Sequence, residues 1–355
     1  MASVAPVRHL RPSNSTIDDQ SEKSYYWSQL LKYWKLPSHV KHFPGANPMS
    51  IERADLQQIK ESDFLVALKT DGVRHILLLT LKPNSMEPIA IMVDRAQKMY
   101  EIIVWANEDY FTNGSLMDGE LVWSENGLQY IIFDVMVTKG TSCIKMPYRD
   151  RLQILHNTIL VINANDNNQE EIERKIAEED KIISFDNIHN LQILSKRCVK
   201  KENLHILWRD RNNVCHANDG LVFTLNTANV TIGTCSTILK WKPDHSVDIQ
   251  IVYSCSKGLC LYANDNTSGA VVDITRSCCS YKIEFTMNRL IEVIKHRLPC
   301  IVECLIQIKE DVMYLTPERE RGDKDAPNTI KTIEATIKNT IEAISSEELI
   351  GMVCG

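Results

Sequence analysis

Lys69 stands in Leu68-Lys69-Thr70-Asp71-Gly72-Val73-Arg74, between two apolar runs of strand length. A lysine attacks as a nucleophile only when its amine is neutral, which takes neighbouring cations and partial desolvation. Candidate cations occur far away in sequence. Leu239-Lys240-Trp241-Lys242-Pro243 places Lys240 and Lys242 at i and i+2, on one face of a strand. Carboxylates complete the set. Asp118 and Glu120 flank Gly119, read as a turn glycine entering a strand; Asp219 precedes Gly220 in the same way; Asp134 lies in the apolar run Ile131–Val135. A lysine nucleophile, paired cations and carboxylates able to hold a divalent ion suit phosphoryl or nucleotidyl transfer. Each feature also has a plainer reading: Lys69 as a surface residue, Lys240 and Lys242 as the wet face of a sheet, the Asp-Gly pairs as hairpin turns, Asp134 as a satisfied core carboxylate. Neither a G-x-x-x-x-G-K-[ST] loop nor a G-x-G-x-x-G turn is present, so P-loop and Rossmann nucleotide binding are unsupported.

The elements that must position these groups follow from hydrophobic periodicity. Ser24–Leu36 has aromatic and leucine residues at helical spacing and reads as a helix packed on the core. From Phe64 the chain turns to short β runs, FLVALK, HILLLTL, IAIMV, YEIIVW, GELVW and LQYIIFDVMV, separated by turn residues. That pattern predicts a mainly antiparallel sheet system. Tyr148–Val161 reads as a helix, and the charged stretch Asn168–Lys181 as a solvated one. Strands resume at Gly220–Leu225 and Thr237–Lys242. Lys242-Pro243-Asp244-His245 reads as a hinge. Beyond it, VDIQIVYS, GLCLYA, AVVDI, KIEF, PCIVECLIQI and VMYL suit a small five-stranded barrel with an inserted helix near Met287–His296. A helix over Thr329–Ile344 closes the chain. The predicted organisation is a flexible tail over residues 1–22, a catalytic domain over 23–243 and a barrel over 244–328, with a helix at about 329–350 that packs back on the first domain.

The chain has 355 residues, enough for two domains, and a net charge of −6. That charge argues against coating nucleic acid by bulk attraction and leaves room for a local basic cleft. The 11 cysteines are scattered and never spaced C-x-x-C, so the reading is free thiols in a reducing compartment and no structural zinc. With no signal-peptide core and no apolar run long enough for a bilayer, a soluble intracellular protein without membrane contact is expected.

The ordered series KTDGVR (69–74), DGE (118–120), FD (133–134), DGLVF (219–223) and LKWKP (239–243), with Arg321-Gly322-Asp323-Lys324 near the end, resembles the covalent lysyl-nucleotidyltransferase superfamily. That superfamily holds the polynucleotide ligases and the mRNA capping guanylyltransferases. The capping branch is the better match. His42-Phe43-Pro44-Gly45-Ala46-Asn47-Pro48-Met49-Ser50 looks like the F-P-G-x-x-P-x-S segment of capping enzymes, and Asp219 stands where ligases typically carry Glu. Pro147-Tyr148-Arg149-Asp150-Arg151-Leu152 and Pro327-Asn328 are also capping-like. Val93-Asp94-Arg95-Ala96 and Ser50-Ile51-Glu52-Arg53 look closest to the compact guanylyltransferases of large DNA viruses.

The resemblance implies an α+β fold: an antiparallel-sheet nucleotidyltransferase domain, ATP-grasp-like or DNA-ligase-like, plus a C-terminal OB-fold β-barrel. It implies that Lys69 attacks the α-phosphate of GTP and forms a Lys–GMP bond, and that GMP then passes to the 5′-diphosphate end of RNA. Thr70, Arg74, Arg95 and Glu120 would hold the nucleotide, Arg74, Arg95 and Glu120 at the ribose. Phe133 would stack on guanine, Asp219 would help bind Mg²⁺ or Mn²⁺, and Lys240 and Lys242 would grip the α-phosphate. Arg321, Asp323 and Lys324 would act on the β- and γ-phosphates when the barrel closes; Arg319 competes with Arg321, and Asp323-Lys324 favours the latter. Guanine selection is not readable from these motifs: Lys196, Arg197, Lys200 and Lys201 could supply a contact or simply form a basic surface loop. The expected partners are GTP, the RNA end and separate RNA triphosphatase, cap methyltransferase or RNA polymerase proteins; the chain itself is expected to be a monomer, in the nucleus or in a cytoplasmic viral factory. Two other readings stay open, an ATP-dependent RNA or DNA ligase and a non-catalytic module that binds RNA ends.

Overall fold

A computed structural model of the chain describes residues 16–102, 104–124, 127–161, 182–184, 191–294, 298–322, 324 and 326–354. The fold is α+β, with antiparallel sheets dominant, in two compact units. The first comprises residues up to 49, 57–241 and 353–354; the second comprises 50–56 and 242–352. The expected charged helix over 168–181 lies outside the described residues.

Among the described residues the first unit has two large sheets and a small one of Ile159–Val161, Ile182–Ser184 and Val104–Trp105. The first runs in the order Gln192–Ser195, Gly127–Thr138, Ser115–Ser124, Val73–Leu81, Pro88–Asp94, Met99–Ile102. Its central strands are apolar on both faces because both faces are covered. Leu77 and Leu79 pack in a core with Tyr110, Phe111 and Leu155, while Ile76 and Leu78 pack on the other side against Tyr26, Leu30 and Trp34. Those last three belong to the helix Gln20–Trp34. It starts at Asp19, whose side chain accepts from the Glu22 N–H at 2.8 Å, and ends at Lys35 in the left-handed conformation. The sequence had placed residues 16–22 in a mobile tail. Ile17 is instead buried and its N–H donates to the Met99 carbonyl at 2.9 Å, which pins the segment to the sheet edge.

The second sheet of this unit runs Ala46–Ser50, Gly233–Trp241, Asn218–Leu225, Phe64–Thr70, Cys198–Lys200. Phe64–Thr70 and Val73–Leu81 therefore do not form a hairpin. The Asp71-Gly72 link between them steps from one sheet to the other. Lys201, read as part of a basic surface loop, is buried: its ammonium donates to the carbonyls of Ile59 (2.8 Å), Ser62 (2.6 Å) and Lys60, capping the helix Asp55–Glu61.

The second unit is a seven-stranded sheet in the order Val271–Asp273, Gly258–Asn264, Ser246–Ser254, Cys300–Lys309, Val312–Glu320, Tyr281–Phe285, Ser277–Cys278. The two edge strands are consecutive in the chain, which curls the sheet into a barrel of the OB type around Val247, Ile249, Val302, Met313 and Leu315. All six β runs read from the sequence are strands, KIEF among them, and Ser277–Cys278 is the seventh, so the count exceeds the expected five. The inserted helix spans Met287–Val293, and a helix over Ile330–Glu342 seats Ile333 and Ile337 in the barrel core. The single helix expected at about 329–350, packing back on the first domain, is instead two: Ile330–Glu342 packs in the barrel core, and Ser346–Cys354 follows it. Residues 50–56 join this unit through Arg53, which donates to the Glu342 carbonyl at 3.1 and 3.0 Å and pairs with Glu348, and through Glu52, which meets Lys338 at 2.5 Å.

One ion cluster in the barrel is acid-sensitive. Burial pushes the Glu303 carboxyl up, but Arg319 at 2.6 Å, Ser246 at 2.5 Å and Arg321 at 3.4 Å outweigh it and hold the group at about 2. A carboxyl lowered in this way stabilises the fold fully above its ordinary value of 4.5 and loses that contribution as pH falls toward about 2. In a series of thermal melts against pH, Glu303→Gln is expected to be less stable than wild type at neutral pH, with the gap closing across that window. A gap that stays constant from pH 5 to pH 2 would exclude this account.

Candidate active site

Lys69 is placed by a β-bulge. Thr70 pairs with Asn218 and Leu68 with Leu221, so Asp219 and Gly220 together oppose Lys69. The bulge turns Asp219 toward Lys69, and the Lys69 ammonium donates to its carboxylate at 2.7 Å. Gly220 has a φ of 154°, which side-chain-bearing residues adopt with difficulty. Both partners stay partly open, at 20% and 29% side-chain exposure, so the pair is accessible to a ligand. Cys198, Ala67, Val222 and Lys240 lie in register across four strands. Lys240 therefore shares the sheet face of Lys69, as the i and i+2 rule requires.

Lys196 closes this constellation from the loop before Cys198–Lys200. Its ammonium donates to the Thr70 hydroxyl and lies 3.8 Å from Glu120. Burial pushes Lys196 down, with the Glu120 carboxylate opposing. Burial pushes Glu120 up, against Lys196, Lys69 and Arg74. Both shifts run toward the neutral forms, so desolvation outweighs attraction at this separation.

A second bulge places Phe133. Glu120 pairs with Ile131, Gly119 with Ile132 and Asp118 with Asp134, which leaves Phe133 as the extra residue. Its half-buried ring lies against the Arg74 guanidinium, 5.4 Å from centroid to carbon, and Phe43 covers Arg74 at the same distance. Arg74 is buried. It donates to both oxygens of Asp118, at 2.9 and 2.5 Å, and to the Ala46 carbonyl at 2.5 Å. Burial works against its charge, and Asp118 more than offsets that. Three of the five guanidinium N–H donors of Arg74 are used inside the protein, where it positions Phe133 and the Phe43-Pro44-Gly45 segment. Gly45 is needed for that contact, because a Cβ there would lie 2.6 Å from an Arg74 nitrogen. The turn reading of Asp118-Gly119 is corrected. Both residues sit mid-strand, and a Cβ on Gly119 would meet the Ile131 carbonyl at 2.7 Å.

Asp134 is the satisfied core carboxylate of its plainer reading. The fully buried Arg151 holds it with hydrogen bonds of 2.7 and 3.0 Å, and also donates to the carbonyls of Met146 and Ala228. Arg95 is exposed on the turn between Pro88–Asp94 and Met99–Ile102.

In the second unit, Asp248 is buried and gathers the late motif. Arg321 donates to one of its oxygens at 3.1 Å and Lys324 to the other. Asp323 lies outside the described residues. Lys242, where the chain re-enters this unit, follows directly on the Gly233–Trp241 strand.

A family model described as "mRNA capping enzyme, catalytic domain" matches residues 11–244, the stretch that carries Lys69, Glu120, Phe133, Lys196, Asp219 and Lys240. The chain belongs to this family. A capping enzyme subunit alpha of Candida glabrata is 27% identical over 248 residues, covering 63% of this chain and 52% of that protein. The subunit alpha of Schizosaccharomyces pombe is 25% identical over 331 residues, covering 87% and 79%. A capping enzyme of Caenorhabditis elegans is 23% identical over 367 residues, covering 95% and 52%. The chain spans about half the length of most of the curated relatives it matches. Among solved structures, a mycobacterial DNA ligase D complexed with ATP and MES aligns at 12% identity over 78% of this chain and 95% of its own, with a TM-score of 0.40.

For this member of the capping family, the first unit brings together Lys69, Thr70, Glu120, Lys196, Asp219 and Lys240, with Phe133 reached through Arg74. Sequence reasoning left Lys196 among four basic residues; its contacts with Thr70 and Glu120 separate it from them, whereas the buried Lys201 caps the helix Asp55–Glu61. It missed Asp248 and Arg151 as anchors. Arg151 carried no signal of its own, since Arg149 stands two residues before it in the same helix, and only packing sets the two apart. Among the described residues no helix is long and apolar enough to cross a membrane.

Proposed function

We propose that the protein is an mRNA guanylyltransferase working through a Lys69–GMP intermediate. The observation that carries this is Lys69 itself: a partly open lysine on a sheet face shared with Lys240, paired with a bulge-directed Asp219, in a chain of the capping family. Lys69 loses its proton, for which Asp219 is the relay in reach, and its nitrogen forms a bond to the α-phosphorus of GTP. The bond from that phosphorus to the β-phosphate oxygen breaks and pyrophosphate leaves. In the second step a terminal oxygen of a 5′-diphosphate RNA attacks the same phosphorus and the N–P bond breaks, giving the GpppN end. Lys240 stabilises the charge that grows on the α-phosphate oxygens.

Among the described residues no group of three or more His, Cys, Asp or Glu side chains forms a metal cage. The half-exposed carboxylate of Asp219 fits an ion of the Mg²⁺ or Mn²⁺ kind, which takes one or two carboxylates and shares the substrate's phosphates. When bound, such an ion neutralises phosphate charge.

The base is selected by Lys196 and Thr70. Guanine presents a carbonyl acceptor where adenine presents an amino donor, so an ammonium and a hydroxyl favour guanine. Lys196→Met is expected to slow adduct formation with GTP by about 10–100-fold, the value of one charged hydrogen bond, and to leave the slow reaction with ATP unchanged. Equal losses with both nucleotides would remove base selection from Lys196.

The test of the function is incubation of the full chain with α-labelled GTP or ATP and Mg²⁺ or Mn²⁺, followed by a denaturing gel. A GTP-dependent, acid-labile adduct that is chased onto diphosphate-ended RNA is the expected result. An adduct with ATP alone moves the protein to ligase chemistry. A folded protein with no adduct leaves a binding module.

A further inference from the structure

The barrel contains a pair of thiols that the nucleotide chemistry does not use. Ser277 pairs with Lys282 and Cys278 with Tyr281, so Cys279 and Ser280 are the two central residues of a hairpin turn. Their φ values are 51° and 70°. Two successive positive φ values define the turn type for which Asn-Gly is the favoured sequence, and neither Cys nor Ser adopts them without cost. Along a regular strand, successive side chains point to opposite faces. Here the left-handed Cys279 folds back, and its Sγ lies 3.4 Å from that of Cys278. Cys278 is buried in the barrel core and Cys279 is half-buried, so the pair is open on one side only.

We propose that Cys278 and Cys279 form a dithiol site that chelates a trivalent arsenical. The reaction is a condensation. Two S–H bonds and the arsenic–oxygen bond of an organoarsenic(III) oxide break, two As–S bonds form, and one water leaves; nothing is oxidised or reduced. The geometry favours this class over others. A two-thiol chelate needs sulfurs already near contact, which the turn supplies, and no third ligand. Metal cages of three or more His, Cys, Asp or Glu side chains are absent among the described residues. Oxidation by peroxide starts from the thiolate. Burial, with Cys279 alongside, pushes the Cys278 thiol up to about 12, and burial also raises Cys279. The pair therefore stays protonated and suits a reagent that condenses with neutral thiols.

The site has a structural position that makes occupancy matter. The strand after the turn, Tyr281–Phe285, pairs in parallel with Val312–Leu315, in the strand that leads to Arg319 and Arg321. A chelate bridging the turn stiffens the outer edge of that layer.

The experiment is a titration of the full chain with phenylarsine oxide, read by intact mass. One phenylarsenic group per chain is expected, stable to excess 2-mercaptoethanol and removed by a dithiol. The exposed Cys255 provides the control: Cys255→Ser should bind as wild type does. Cys279→Ser should lose the adduct. Because a change at the turn could disturb folding, the second variant is Cys279→Asn with Ser280→Gly, which fills the turn with its favoured residues. It is expected to melt at or above the wild-type temperature and to bind no arsenical that resists monothiol. Retention of the monothiol-resistant adduct by that folded variant, or its absence from wild type, overturns the proposal.

Discussion

Lys69→Ala is expected to abolish the covalent guanylate adduct while leaving the protein folded. Loss of a nucleophile costs on the order of 10⁶ in rate where it has been measured in other enzymes, so no labelled band should remain. The fold should survive because the Lys69–Asp219 pair is partly exposed, and exposed pairs contribute about 0–1 kcal/mol. Lys69→Arg should be equally inactive, since a guanidinium does not give up its proton at neutral pH. The readout is paired: α-labelled GTP on a denaturing gel, and a thermal melt of the same sample. A Lys69→Ala protein that still forms the adduct would falsify the assignment and point to another lysine. A variant that loses the adduct only because it has unfolded would show in the melt, and Asp219→Asn would then be examined in its place.

The largest effect on stability is expected at Arg151, which lies outside the proposed chemistry. Its guanidinium is buried, pairs with Asp134 through two hydrogen bonds, and satisfies two carbonyls besides. Burial pushes the Asp134 carboxyl up and Arg151 holds it down against that. Arg151→Met leaves both carbonyls without this donor and the carboxylate with only the Val135 N–H at 2.8 Å. Breaking one side of a buried pair costs about 3–5 kcal/mol, which for a unit of this size lowers the melting temperature by roughly 6–20 °C. The double change Arg151→Met with Asp134→Leu should recover part of the loss, because it removes the stranded charge. A single Arg151→Met protein within about 1 kcal/mol of wild type would show that water or a neighbouring group replaces the guanidinium. The two experiments separate cleanly: Lys69→Ala moves chemistry without stability, and Arg151→Met moves stability first.

Arg74 shows how a residue of a chemical motif can serve the site indirectly. Its charge is spent on Asp118 and the Ala46 carbonyl, and its faces carry Phe43 and Phe133. The ring proposed to stack on guanine is thus held by a cation–π contact on one side, which fixes its plane before the base arrives. The late motif shows a similar economy. Arg321 and Lys324 share the carboxylate of Asp248, and Arg319 and Arg321 share Glu303, so the barrel holds three cations close together on one buried and one half-buried acid. Lone lysines or arginines in that arrangement would repel; the acids make the cluster possible.

Much of this architecture is legible in the chain. Apolar runs of strand length located Phe64–Thr70, Val73–Leu81 and Gly127–Thr138, because burying both faces of a strand demands a continuous apolar sequence. The order of KTDGVR, DGE, FD, DGLVF and LKWKP carried the resemblance to the lysyl-nucleotidyltransferases, and a lysine with cations and carboxylates suits the phosphoryl or nucleotidyl transfer proposed above. The i and i+2 spacing put Lys240 on a defined strand face. Three things were decided only in three dimensions. The bulges at Asp219–Gly220 and at Phe133 depend on pairing with strands far away in sequence, and an extra residue in a ladder leaves no mark in the chain that carries it. The separation of Lys196 from the neighbouring basic residues depends on which ammonium reaches Thr70 and Glu120, and those contacts are a property of the packed sheets. The choice of whether an acid binds substrate or holds an arginine, as Asp118 and Asp134 do, depends on which guanidinium packing brings to it. Sequence fixes the chemical groups and the faces they share along one strand; distances, desolvation and ion partners are set by contacts between strands, and those exist only once the sheets have formed.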